Sequence, residues 1–112
     1  MDAAAGSICI VIPTYNNAGT ILDVAGRAVA QGYPVVVVND GSIDETAVLL
    51  AQSDLPLTVL THPCNRGKGN ALRTGLTYAR TQGFRYAITL DGDGQHFPED
   101  IPLLLECFQQ HK

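Results

Sequence analysis

Two aspartates stand two residues apart in Asp91-Gly92-Asp93-Gly94-Gln95. In extended backbone, side chains at that spacing point the same way. Both carboxylates can therefore meet one ligand. Gly92 and Gly94 let the chain turn tightly and leave room beside it. Two hard oxygen donors that leave coordination positions open suit Mg²⁺ or Mn²⁺ shared with substrate phosphates. Gln95 can add a carbonyl oxygen. The plainer alternative is an Asp-Gly turn with solvated acids. A calcium loop of the EF-hand type needs Gly at its sixth position and Glu at its twelfth. Those positions hold His96 and Pro102 here, which excludes it.

Three further polar loops carry candidate chemistry. In Asn39-Asp40-Gly41-Ser42 the carboxylate of Asp40 can accept from a base N–H or a ribose hydroxyl, or can cap the next helix. Asn65-Arg66-Gly67-Lys68-Gly69 leads into a helix N-terminus, where backbone N–H groups favour anions. It is not a Walker A loop, which needs Gly-x-x-x-x-Gly-Lys-Ser/Thr. In Pro13-Thr14-Tyr15-Asn16, Tyr15 can stack on a base or simply cover the end of the core. His62 and His111 are expected at the surface. His96 lies beside the acidic loop, as a site residue or at a helix entry.

Alternating strands and helices must position these loops. Residues 7–12 and 35–38 are continuous apolar runs, as strands buried on both faces require. The first is expected to stop at Pro13. Residues 57–60 and 86–90 read as the third and fourth strands. Residues 20–31 carry Ile21, Leu22, Ala25, Ala28 and Val29 at helical spacing, with Gly32 suited to the C-terminal turn. Residues 44–52 form a short helix capped by Asp44 or Ser42. Residues 71–81 form another, with Leu72, Leu76 and Ala79 inward. A last helix starts at Pro98, with Ile101, Leu104, Leu105 and Phe108 on one face. The order predicts an α/β fold, a Rossmann-like and mostly parallel sheet flanked by helices. In such sheets ligands bind at the carboxyl ends of the strands. All four polar loops fall at those ends.

Composition narrows the functions. The chain has 112 residues, 46% hydrophobic and 16% charged, which excludes a disordered tail. Seven basic and eleven acidic residues leave a net charge of −4, and aromatics are 6% with no Trp. That argues against nucleic acid as a partner, because phosphate-backbone binding runs on clustered Lys and Arg. Cys9, Cys64 and Cys107 form no CxxC pair, which argues against zinc and fits a reducing compartment. Cys9 and Cys107 read as small buried hydrophobes. The N-terminus lacks the basic and apolar regions of a signal peptide. No apolar run approaches the length of a membrane span.

In sequence order, Val11-Ile12-Pro13-Thr14-Tyr15-Asn16, Val37-Val38-Asn39-Asp40-Gly41-Ser42-Ile43-Asp44, Asn65-Arg66-Gly67-Lys68-Gly69-Asn70-Ala71-Leu72 and Leu90-Asp91-Gly92-Asp93-Gly94-Gln95-His96-Phe97-Pro98-Glu99 resemble the motifs of family 2 glycosyltransferases of the GT-A fold. The last motif is similar to the polyprenol-phosphate sugar synthase branch, as in dolichol-phosphate mannose synthase. The resemblance implies inverting, metal-dependent transfer of a sugar from a nucleotide-diphosphate donor, in cell-envelope biosynthesis. It implies Mg²⁺ or Mn²⁺ on Asp91, Asp93 and Gln95. It implies nucleotide contacts at Pro13, Thr14, Tyr15, Asp40, Lys68 and Asp91. Asn17 stands where many members have Glu, and Asn39 where many have a second Asp. Family domains run to about twice this length, and the second half carries acceptor contacts and the base. Residues 1–112 are thus expected to be the nucleotide-sugar-binding part of a longer GT-A domain, with the catalytic base outside it. A polyprenol phosphate or glycan acceptor, a cytoplasmic location up to the membrane's cytoplasmic face, and a homodimer through uncovered apolar surface complete the expectation.

Two other readings stay open on the residues themselves. A haloacid-dehalogenase-like phosphatase carries Asp-x-Asp-Gly-Thr after a strand. Asp91-Gly92-Asp93-Gly94 matches it, although Gln95 replaces Thr and that motif belongs on a first strand. A non-catalytic nucleotide-binding or regulatory domain, built like a response-regulator sheet, is the third. The paired acids argue against it.

Overall fold

A computed structural model describes residues 7–93. Its strands are β1 (Ile8–Thr14), β2 (Val35–Asp40), β3 (Leu57–His62) and β4 (Tyr86–Thr89). They form one sheet in the order β3-β2-β1-β4, with every pair parallel. The helices are α1 (Ile21–Val29), α2 (Thr46–Gln52) and α3 (Lys68–Thr81). The α/β, Rossmann-like expectation holds over these residues. The helix expected from Pro98, with Cys107, His96 and His111, lies outside the described residues.

β1 and β2 are buried along their whole length. Alternate side chains feed two cores. Ile8, Ile10, Ile12, Val35 and Val37 pack with Ile21, Val24, Ala25 and Ala28 of α1 and Leu50 of α2. Cys9, Val11, Val36 and Val38 face the other way and pack with Ala71 and Ala79 of α3. That two-sided burial explains why residues 8–12 and 35–38 are unbroken apolar runs. Burial also pushes the Cys9 thiol pKa up, as its role as a small hydrophobe requires.

Several boundaries differ from the sequence reading. β1 runs through Pro13 to Thr14. The Pro13 carbonyl accepts from Gly92 N–H, so its nitrogen faces β4, whose register with β1 ends at Val11↔Thr89. The N–H that proline lacks falls beyond that ladder. β2 and β3 each run two residues further than their apolar cores, to Asp40 and His62. Neither candidate cap stands at the N-cap of α2, which is Glu45; Asp44, one residue earlier, accepts from Thr46 N–H at 2.9 Å. Ser42 instead accepts from Asn16 N–H.

The buried face of α3 is also corrected. Ala71, Gly75 and Ala79 turn to the sheet, while Leu76 is 42% exposed and Leu72 only half-buried. The cause is close approach. A Cβ on Gly75 would collide with Val11 Cγ1 and lie 3.1 Å from Val38 Cγ2. Only small residues at positions 71, 75 and 79, four apart, let the helix lie this low.

Candidate functional site

The carboxyl ends of β1, β2 and β4 and the start of α3 surround one cleft of about 420 Å³. Pro13, Thr14, Tyr15, Asn17, Asp40, Asn65, Gly67, Lys68, Ala71, Asp91, Gly92 and Asp93 line it. Every candidate nucleotide or metal residue that falls within the described residues is therefore on the same cleft. Gln95 lies outside them.

The β1 loop is shaped by its asparagines. Asn16 adopts a left-handed φ of 53°, which Asn tolerates better than most residues. Its Oδ1 accepts from Ile43 N–H at 2.8 Å and Asp44 N–H at 3.3 Å. Ser42 Oγ and Asp44 Oδ2 accept in return from Asn16 and Ala18 N–H. These bonds zip the β1 and β2 loops together. Asn17 Oδ1 accepts from Thr14 Oγ1–H at 2.7 Å and from Tyr15 N–H at 3.2 Å. Thr14 is thereby buried and held, and Tyr15 stays 41% exposed beside the cleft. Thr20 Oγ1–H donates to the Gly92 carbonyl at 2.7 Å, which ties the acidic loop to the same rim.

Asp40 is 2% exposed and densely bonded. Oδ1 accepts from His62 Nδ1 at 2.7 Å and Arg66 N–H at 2.9 Å, and Oδ2 accepts from Gly67 N–H at 2.9 Å. It does not cap the helix that follows it in sequence. It sits instead at the N-terminus of α3, where a negative charge is favoured. Burial pushes this carboxyl up. The hydrogen bonds from His62 and the Arg66 and Gly67 amides outweigh that and hold it below the usual carboxylate range.

His62, expected at the surface, is 6% exposed. Its Nε2 lies 2.8 Å from Thr74 Oγ1 of α3. The misreading came from ending β3 at residue 60. With β3 running to 62, the parallel register sets Asp40 opposite His62, on the face that α3 covers. A polar residue at each of two aligned strand ends is the signal that could have found the pair.

Asp91 Oδ1 pairs with Lys68 Nζ at 2.5 Å, with the Lys68 side chain 62% exposed and that of Asp91 18%. Lys68 is the first residue of α3, not part of the loop before it. A cation already sits on one acid of the pair. Among the described residues no three His, Cys, Asp or Glu side chains gather as a metal cage. Two carboxylates, Asp91 and Asp93, are a donor set of the kind a hard divalent cation takes, with coordination positions left for other oxygen ligands.

The comparisons with known proteins agree with this architecture. The chain is 36% identical over 107 residues to an uncharacterised protein of Methanocaldococcus jannaschii, covering 90% of this chain and 43% of that protein. It is 30% identical over 115 residues to the UDP-N-acetylglucosamine–dolichyl-phosphate N-acetylglucosaminyltransferase of Methanococcus voltae, covering 88% of this chain and 46% of that one. The polyprenol monophosphomannose synthase of Mycolicibacterium smegmatis is 33% identical over 105 residues, with 88% and 39% covered. The chain spans less than half the length of these relatives. Among solved structures, S. aureus TarS in complex with UDP-GlcNAc superposes with a TM-score of 0.71 at 23% identity, covering 94% of this chain and 32% of that one. That likeness concerns the fold, which is of the GT-A type. The model of Glycosyl transferase family 2 matches residues 9–112, and the chain belongs to that family.

Proposed function

We propose that this chain supplies the donor half of a glycosyltransferase that moves a sugar from a nucleoside diphosphate to a polyprenol phosphate. The observation that carries the reading is the convergence of four loops on one cleft. A buried anchored carboxylate stands on its Asp40 side, and a cation-paired acid on its Asp91 side. Relatives named as a dolichyl-phosphate N-acetylglucosaminyltransferase and a polyprenol monophosphomannose synthase support the acceptor class. A structural neighbour solved with UDP-GlcNAc supports the donor class.

Each residue then has a task. Tyr15, exposed beside the cleft, offers a ring face to the base. Pro13 and Thr14 form the floor under base and ribose. Asp40 presents its remaining acceptor capacity to a base N–H. Lys68 exchanges Asp91 for a diphosphate oxygen, which its exposed and flexible stem permits. Asp91 and Asp93 hold Mg²⁺ or Mn²⁺, with Gln95 as a further oxygen donor. When bound, that ion neutralises the negative charge that develops on the departing diphosphate. The catalytic base and the inverting geometry at the anomeric carbon belong to the whole protein. No helix of the described residues is long and apolar enough to cross a membrane. Action at the cytoplasmic face therefore rests on the acceptor class alone.

Titration calorimetry with UDP and GDP, with and without Mn²⁺, tests the reading. Metal-dependent binding of a nucleoside diphosphate is the expected result. A folded chain that binds neither rejects it. Turnover of an aryl phosphate with a phosphate mimic trapped on Asp91 would favour the phosphatase instead.

A further inference from the structure

His62 has no task in the proposed chemistry, yet it is among the most specifically bonded side chains of the described fold. Its Nδ1 lies 2.7 Å from Asp40 Oδ1 and its Nε2 lies 2.8 Å from Thr74 Oγ1, with His62 6% and Asp40 2% exposed. Asp40 as a carboxylate only accepts hydrogen bonds, so Nδ1 must carry the proton. In the neutral ring Nε2 then accepts from the Thr74 hydroxyl. A chain of three groups thus runs from α3 through β3 to β2. It ends on the oxygen that also receives the Arg66 amide. The other Asp40 oxygen receives Gly67, which lines the cleft and has a φ of 97°.

We propose that His62 is a positioning residue of the nucleotide site, orienting Asp40 and, through it, the 66–67 turn that forms the cleft wall. The role rests on the nucleotide-binding reading above. Rotation of Asp40 about its χ angles would move both the acceptor offered to a base and the two amides it holds. The His62 ring blocks that rotation from one side and α3 locks the ring from the other. The Asp40–His62 bond is buried, so water does not easily replace it, and the His62–Thr74 bond is part-buried.

Two substitutions separate orientation from bulk. Asn places its amide nitrogen near the position of His Nδ1, and Gln places one nearer Nε2. His62→Asn keeps the donor to Asp40, whereas His62→Gln keeps the reach to Thr74 and loses Asp40. In calorimetry with UDP or GDP and Mn²⁺, His62→Gln should weaken binding about tenfold, the scale of one hydrogen bond to a charged group. His62→Asn should recover most of that, to within about threefold of wild type. NMR of the ¹⁵N-labelled wild-type chain needs no variant to fold. Its His62 ring should show Nδ1 protonated, and saturation with nucleotide should shift the Nδ1–H resonance together with the Arg66 and Gly67 amides. Equal affinity of a folded His62→Gln chain, a ring protonated only at Nε2, or an Nδ1–H signal unmoved by bound nucleotide would overturn the proposal. A wild-type chain that binds no nucleoside diphosphate defeats instead the reading on which it rests, and the role falls with it.

Discussion

Two aspartates on one cleft behave in opposite ways. Asp40 is 2% exposed and holds one imidazole and two backbone amides. Asp91, two strands away in the sheet, meets a lysine whose side chain is 62% exposed. The first carboxylate is fixed by short, directional bonds from groups that cannot leave. The second is paired with a flexible cation that can. Under the proposed function, recognition of a base calls for the rigid kind and a departing diphosphate for the exchangeable kind.

The glycine after each acid sharpens the contrast. Gly41 has a φ of +71°, and a Cβ there would run into the Cys64 and Asn65 backbone. Gly41→Ala should therefore cost about 3 kcal/mol or more, from backbone strain plus overpacking. Urea denaturation is the measurement, and a near-neutral result would show that the Asp40 side is not rigid. Asp40→Asn comes next, at about 2 kcal/mol near neutral pH, because His62 or a backbone amide loses a charged acceptor. The depressed carboxyl gives this effect a pH signature. Its contribution is full above the unfolded value near 3.9 and is lost as pH falls through the lower folded value. The gap between wild type and Asp40→Asn should thus narrow as denaturation curves are taken from pH 7 toward pH 3.

The acidic-loop side should respond less. A Cβ on Gly92 would lie 2.8 Å from Thr14 Oγ1 and 3.0 Å from both Asn17 Oδ1 and Thr14 Cβ, side-chain atoms rather than the backbone that blocks position 41. Gly92→Ala should cost about 1 kcal/mol, well below Gly41→Ala, in the same denaturation assay. Lys68→Met should change stability by no more than about 0.5 kcal/mol, as exposed ion pairs do. If Lys68→Met were as damaging as Asp40→Asn, the distinction between fixed and exchangeable acids would collapse.

The sequence made the sheet legible because residues 8–12 of β1 and 35–38 of β2 are buried on both faces and are wholly apolar and mostly β-branched. The site was legible because strand ends in a parallel α/β sheet share one rim, so four polar loops had one place to meet. His62 was missed because period and apolarity fade where a strand ends, and Thr61-His62 looked like loop. The inward face of α3 was missed because hydrophobicity favoured Leu72 and Leu76. Close packing against Val11 and Val38 favours the smallest residues instead. Size, not apolarity, set the orientation of that helix.

The central claim is that the acid pair and the Asp40 side serve one bound nucleoside diphosphate. Paramagnetic broadening by Mn²⁺ in the presence of UDP or GDP tests it most directly on the ¹⁵N-labelled chain. The amides of Thr14, Lys68, Gly92 and Asp93 should broaden, those of Val35, Leu57 and Tyr86 at the opposite end of the sheet should stay sharp, and Asp93→Asn should abolish the effect. Broadening that ignores the cleft, or that persists unchanged in Asp93→Asn, would contradict the account.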